Sequence, residues 1–510
     1  MAATGTVQDW LDEVRSLVMA GRPQAALDML ASALASYPDA ADLRRAQAGI
    51  LDQLGRKAEA EAQFQWLLVR DAGDPASAFP LARLLKDQGR VAAAGKVICT
   101  CLAHDRHRHD SDLAIRAVEL LNDCDRKREA ADIAEAAISA NPGDPRLHAY
   151  AGMLAIQLGD FARARSRYLF ALEHSGGAWE WHAPLGLATA QRYPDASHPD
   201  FALFRAGLGR RELSDRGRAE LHFALGKAND DVGDYREAAQ HFQEGNSTLR
   251  HLARWSRKAW RRAMDARLAA RPLTHTAPPA ADFTPIFIVG MPRSGTTLLA
   301  RLLAQCADVC NRGELPWIAQ LSTQPALAGD PGKSALQRAA EFYIAHTRRD
   351  DSDGARWFID KQPLNMRYLD LVFAMFPAAR VIQCRRGARD TALSLWMQCF
   401  LEDIHGYAQD FEDIRLVMRD AEKLMAHWHQ RFPGAIKTVD YESLVENHDA
   451  VVGQLASWIG LRGHGSRGDP PPGSTISTAS LWQARQPVTT RFVGRSRHYT
   501  PYLPGLARIR

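Results

Sequence analysis

The residues best equipped for chemistry lie in the second half of the chain. GMPRSGTTLL, starting at Gly290, holds Arg293 and three hydroxyls, Ser294, Thr296 and Thr297, around a second glycine, Gly295. A short apolar run, Pro285 to Gly290, precedes it, and an amphipathic stretch, LLARLLAQC, follows. This is the pattern of buried strand, loop and helix, in which successive backbone N–H groups and a helix N-terminus cradle an anion. The nucleotide phosphate loop, G-x-x-x-x-G-K-[ST], is the nearest comparison. Gly290, Gly295 and Thr297 keep its spacing, but Thr296 stands where the lysine belongs. Without that lysine to balance the β- and γ-phosphates, a nucleotide kinase or NTPase is disfavoured. Arg293 instead places its charge inside the loop.

Other segments read as elements able to position such a loop. WFID, before Lys361, is a strand, and Arg380 to Arg385 is another, with a helix after it. IKTV is an apolar strand leading into Asp440-Tyr441-Glu442, which reads as structural or as part of an acceptor cleft rather than a metal site. Strands alternating with helices predict, over residues 283 to 510, a three-layer α/β domain with a mostly parallel sheet. In such sheets ligands sit at the C-terminal ends of the strands.

PRSGTTLL resembles the 5′-phosphosulfate loop of sulfotransferases that use 3′-phosphoadenosine-5′-phosphosulfate (PAPS). The resemblance is closest to the protein-tyrosine sulfotransferase branch and to bacterial proteins joining tetratricopeptide repeats to that domain. It implies that Arg293, Ser294, Gly295, Thr296, Thr297 and Leu298 hold the 5′-phosphosulfate, a less charged group that needs no metal. Gly313-Glu314 lies where the tyrosine branch carries a Gly-Glu pair, which makes Glu314 the general base; the plainer role is a helix cap or an arginine's partner. The DKxPxN phrase at Lys361 matches the family, where the lysine lies near the bridging oxygen that gains charge on S–O cleavage; the plainer role is pairing with Asp360. Arg386 and Ser394 have the eight-residue spacing of the 3′-phosphate pair, with Arg385 as rival and Arg389 as a surface ion-pair residue. A late segment offers Ser480, Arg485, Arg491 and Arg495 to close over the nucleotide, and GHGSRGDPPPGS before it reads as a loop suited to a lid.

The resemblance implies metal-free sulfuryl transfer from PAPS to a hydroxyl, foremost a protein tyrosine, with a saccharide or small-molecule hydroxyl as the alternative. An alternative of another class is a non-catalytic repeat scaffold with a degenerate nucleotide domain.

The first half is built differently. Gly-Arg-x-x-x-Ala recurs at Gly21, Gly55 and Gly89, in steps of 34 residues. Degenerate copies follow at Asp125, Gly159 and Gly233, and a small residue stands seven positions earlier at Ala48, Ala82, Gly152 and Gly226. Pro38 and Pro142 fall where second helices should stop. Period, turn and small residues together resemble the tetratricopeptide repeat over residues 8 to 250, an all-α superhelix, with an irregular unit around YPDASHPD. That resemblance gives the array two roles, holding an acceptor protein or peptide, or serving as a scaffold. Residues 251 to 282 are a basic helix, with Trp255 and Trp260 turned inward, and a Pro- and Ala-rich connector.

At 510 residues the chain is too long for one core. A net charge of +5 is too small to argue for nucleic acid but suits a local anion site. Seven cysteines, an odd number, give no disulfide framework. Cys306 and Cys310, expected one helical turn apart, have no partners for a zinc site. The acidic start and the lack of a long apolar run predict no signal peptide and no membrane span, with a reducing cytoplasm as the compartment.

Overall fold

In a computed structural model, residues 6–352, 354–401, 403–461 and 488–509 are described. The first half is a series of helical hairpins: α1 (Val7–Met19) with α2 (Pro23–Ser36), α3 (Ala41–Gln53) with α4 (Lys57–Arg70), α5 (Pro75–Asp87) with α6 (Val91–Leu102), and α7 (Ser111–Asp123) with α8 (Lys127–Ala140). Then come α9 (Pro145–Leu158) with α10 (Phe161–His174), an irregular pair α11 (Ala183–Thr189) and α12 (Pro199–Leu208), and α13 (Asp215–Val232) with α14 (Tyr235–Leu252). The regular hairpins turn on a left-handed residue. Gly21, Gly55, Gly89, Gly159 and Gly233 take φ of 69° to 85°, and Asp125 takes 61° in the degenerate copy. Glycine pays no Cβ penalty there. The small residues let the paired helices approach: Ala48 and Ala82 are fully buried, and a Cβ on Gly226 would lie 2.8 Å from the Phe242 ring. The irregular pair is organised by a buried carboxylate. Asp200 accepts hydrogen bonds from Arg165 (2.6 and 2.9 Å), Tyr193 (2.9 Å) and Gln191 (2.9 Å).

The second half holds α15 (Arg257–Leu268), α16 (Thr296–Leu303), α17 (Trp317–Leu321), α18 (Lys333–Arg348), α19 (Leu369–Met375), α20 (Ala388–Trp396), α21 (Phe411–Arg431), α22 (Tyr441–Glu446) and α23 (His448–Ile459). Its strands are β1 (Thr284–Gly290), β2 (Val309–Asn311), β3 (Trp357–Asp360), β4 (Arg380–Arg385) and β5 (Ile436–Asp440). They form one sheet in the order β2-β3-β1-β4-β5, with all four pairings parallel. Both faces are covered, as an all-parallel sheet requires. Ile286 and Ile288 point toward α16 and α23, through Leu299, Leu303, Val452 and Leu455. Phe287 and Val289 point the other way, toward the core that includes Tyr343, Phe373 and Trp428. That second core continues without a break into Phe223, Phe242 and Leu249 of α13 and α14, and into Trp260 and Met264 of α15. Trp255 lies just ahead of α15 and is half-buried rather than on its inner face.

The connector is pinned at both ends of its course. Thr274 donates to Asp330, Ala277 N–H donates to the Ala374 carbonyl at 2.8 Å, and Phe283 is buried. The chain separates into two compact units, Met1–Leu147 with Arg348–Asp351, and His148–Thr347 with Ser352–Arg510. Among the described residues, which include all seven cysteines, no disulfide is formed. Cys306 and Cys310 do not share a helix, because α16 ends at Leu303 and Cys310 sits in β2. Among the described residues no helix is long and apolar enough to cross a membrane.

Candidate active site

Parallel strands put all their C-terminal ends on one edge, and the candidate residues follow those ends. Arg293 comes after β1, Glu314 after β2, Lys361 after β3 and Arg386 after β4. The loop after β1 is shaped by two glycines. Gly290 has φ 143° and a Cβ there would lie 2.4 Å from the Cys384 carbonyl oxygen of the neighbouring strand. Gly295, at φ 99°, passes the Tyr441 ring, 2.6 Å from where its Cβ would be. Between them Arg293 takes the left-handed φ of 71°, a conformation that costs a non-glycine residue roughly 1–2 kcal/mol. Ser294 closes the turn, its N–H (3.2 Å) and its Oγ (2.7 Å) both donating to the Met291 carbonyl. Thr296 begins α16 and is buried; Thr297 and Leu298, also in its first turn, are half-buried. The first N–H groups of a helix have no partners within it.

Arg293 Nε donates to Ser394 Oγ at 3.0 Å, two turns into α20. Arg386 Nη1 donates to the Arg293 carbonyl (3.2 Å), Nη2 donates to the Phe492 carbonyl (2.6 Å), and the guanidinium stacks over Tyr441. Arg386 and Ser394 are therefore linked through Arg293. Burial pushes the Arg293 pKa down to about 10, and the charges of Arg386 and Arg495 add to the effect. Burial likewise lowers that of Arg386. Guanidiniums that destabilise one another's charge make an electropositive cleft.

Glu314 and Lys361 form an ion pair. The Lys361 side chain is almost wholly buried, and that of Glu314 is 38% exposed, so the pair spans from the sheet edge to solvent. The Lys361 N–H donates to the Gly313 carbonyl (2.7 Å), which fixes the two loops to each other. Lys361 is not the partner of Asp360. Asp360 is buried and accepts from Tyr343 (2.8 Å) and Asn365 (3.1 Å), and burial raises its pKa to about 7.

Arg495 pairs with Asp230 of α13, which also accepts from the Tyr499 hydroxyl at 2.5 Å. Arg491 is exposed and stacks on Phe492. Ser480, Arg485 and the GHGSRGDPPPGS loop lie outside the described residues. Arg385 is exposed, 3.9 Å from Asp440. Among the described residues Arg389 makes no ion pair of the kind expected. It donates to the Ile509 (2.8 Å) and Ala507 (3.3 Å) carbonyls, because the C-terminal backbone lies against α20.

Two residues of the site escape sequence reading. Asp390 is buried and accepts from the Gly494 (2.6 Å) and Ser496 (2.8 Å) N–H groups, bracketing Arg495. Asp230, on a repeat helix, holds the same arginine from the other side. Tyr441, read only as structural or cleft-lining, lies between Arg386 and the Gly295 turn. A cavity of about 320 Å³ opens beside Arg293 and Ser394, and a second of about 310 Å³ beside Gly290, Ser294 and Arg386. Among the described residues no group of three or more His, Cys, Asp or Glu is placed to hold a metal ion.

Residues 285–464 match the model of the sulfotransferase family. An uncharacterized protein of Aquifex aeolicus (strain VF5) is 32% identical over 247 residues, 44% of this chain; the match spans only 32% of that relative, about a third of its length. Among solved structures, a tetratricopeptide repeat protein from Parabacteroides merdae ATCC 43184 is similar at 14% identity, covering 50% of this chain and 96% of its own, with a TM-score of 0.29. A sulfotransferase from Alicyclobacillus acidocaldarius is similar at 16% identity, covering 43% of this chain and 93% of its own, with a TM-score of 0.27. With its phosphate-type loop at the head of the match, the segment from residue 285 to residue 464 is a domain of the sulfotransferase family.

Proposed function

We propose that the chain transfers a sulfuryl group from PAPS to an acceptor hydroxyl, with a tyrosine phenol as the acceptor. The observation that carries this reading is the convergence of Arg293, Ser394 and Arg386 on the loop after β1, with the Glu314–Lys361 pair at the adjoining strand ends. The residues fit the donor's anionic groups. Arg293 and Arg386 carry positive charge that their surroundings disfavour, and Arg386 Nε is buried with no hydrogen-bond partner among the described residues.

PAPS supplies an activated sulfur joined to a phosphate through one bridging oxygen. Glu314 takes the acceptor proton as the acceptor oxygen bonds to sulfur. The bond from sulfur to the bridging oxygen breaks, and its electron pair stays on that oxygen. Lys361 and Arg293 meet the charge that develops there, as preorganised cations do in a dry site. Lys361 must first leave the carboxylate of Glu314. Arg386, Ser394 and the late arginines Arg491 and Arg495 serve the 3′-phosphate. A carboxylate base is nearer in proton affinity to a phenol, with pKa of about 10, than to an aliphatic alcohol, which favours tyrosine as acceptor.

The test is calorimetric titration with the product nucleotide, 3′-phosphoadenosine-5′-phosphate, beside AMP and ATP. Metal-independent binding that requires the 3′-phosphate, and that Arg386→Ala weakens, supports the donor. In the same preparation Glu314→Gln should bind that nucleotide normally while turnover of a tyrosine peptide falls by about 10²-fold or more. Equal binding of AMP, or full activity of Glu314→Gln, would overturn the reading and leave a repeat scaffold with a degenerate nucleotide domain.

A further inference from the structure

The cavity of about 320 Å³ beside Arg293 and Ser394 has a wall made by the helical repeat region. That wall brings Arg192, from the segment after α11, and Lys227, Asp230 and Asp231 of α13. The C-terminal residues Arg491, Phe492 and Arg495 make another side. Among the described lining residues, positive side chains outnumber carboxylates five to two. The two carboxylates are already engaged. Asp230 holds Arg495 and Tyr499, and Asp231 accepts from Lys227 (2.6 Å) and from the Tyr193 N–H (3.1 Å). Lys227 also donates to the Gln191 carbonyl, which fixes the backbone next to Arg192. Burial, then Arg192 and Arg495, disfavours the charge on Arg491, and Arg495 acts on Arg293 in the same sense. Cations drawn together in this way are relieved by a bound anion. Glu314 and Lys361 are not among the lining residues, so the reacting hydroxyl has its place elsewhere. The volume falls within the range of about 300–1,000 Å³ usual for small-molecule sites.

We propose that this cavity receives the 3′-phosphate and nucleoside end of the donor, with Arg192 of the repeat region contacting the phosphate beside Arg491 and Arg495. The last repeat helices are then part of the donor site and not only a scaffold behind it. The inference rests on the donor reading above, and it can fail while that reading stands.

Arg192 is exposed, so its replacement leaves the core intact. Calorimetry on the full chain should show that Arg192→Ala weakens binding of 3′-phosphoadenosine-5′-phosphate about tenfold, the worth of one charge-assisted contact. Binding of AMP should be unchanged, and Arg192→Lys should recover part of the loss. If the unaltered protein prefers the 3′-phosphorylated nucleotide and Arg192→Ala keeps that preference in full, the inference is overturned while the donor reading stands. If the unaltered protein does not discriminate the two nucleotides, the donor reading fails and this inference with it.

Discussion

Asp360 sits one residue from the lysine of the site, yet it answers to the core and not to that cation. It is fully buried, with Tyr343 and Asn365 as donors, and its pKa rises to about 7 because burial disfavours the charge. The folded chain therefore binds this proton more tightly than the unfolded chain does. The stability it contributes is complete below pH of about 4, where both states are protonated, and is lost as pH climbs toward about 7. Asp360→Asn removes that dependence while keeping an acceptor for Tyr343. Urea midpoints should thus shift in favour of the variant between pH 5 and pH 8; an unchanged difference would mean that Asp360 titrates normally. The sequence leaves Glu314 three roles: general base, helix cap or an arginine's partner. In the structure it is paired, and with a lysine rather than an arginine. Spacing along the chain gave no sign that the two residues meet, because they are 47 positions apart and join only through adjacent strand ends.

At the level of elements, the loop after β1 was the most legible feature, since strand, glycine loop and helix are consecutive in the chain. Its tolerance is narrow. Gly290→Ala forces a Cβ to 2.4 Å from a backbone oxygen of β4, at a φ of 143°. Backbone in such a region costs about 1–3 kcal/mol for a side-chain-bearing residue, and the clash adds to it. The variant should lose at least about 2 kcal/mol of stability by denaturant unfolding, with loss of anion binding; near-normal stability would show that β1 and β4 can separate without penalty. Gly55 makes a useful contrast, because a Cβ there meets nothing within 4 Å and only its φ of 76° resists replacement. The repeat turns were legible for the same reason: a left-handed position selects glycine, and the pattern shows through. Asp125 holds φ 61° without glycine, which is why that copy reads as degenerate. The clamps on the C-terminal segment were not legible. Asp390 and Asp230 reach Gly494 and Arg495 across 104 and 265 residues, and no local period encodes such contacts.

For the whole molecule, the change in residue pattern near residue 283 marks where strands begin, while packing runs on upstream of it. Phe223, Phe242 and Leu249 share a core with Phe287, Val289 and Phe358, and the compact unit that holds the sheet reaches back to His148. A chain shortened to begin at residue 143 should fold and bind the product nucleotide. One shortened to begin at residue 283 should be insoluble or molten, because several fully buried aromatic rings would lose their cover, each worth about 3 kcal/mol or more. Circular dichroism and calorimetry on the two fragments check this, and a stable, nucleotide-binding shorter fragment would refute it. The shared core also bears on inheritance. A genetic crossover at the visible change of pattern would cut through one folding unit, so recombination that preserves activity must break the gene upstream of the codon for His148, and the last repeat helices travel with the sheet as one heritable block.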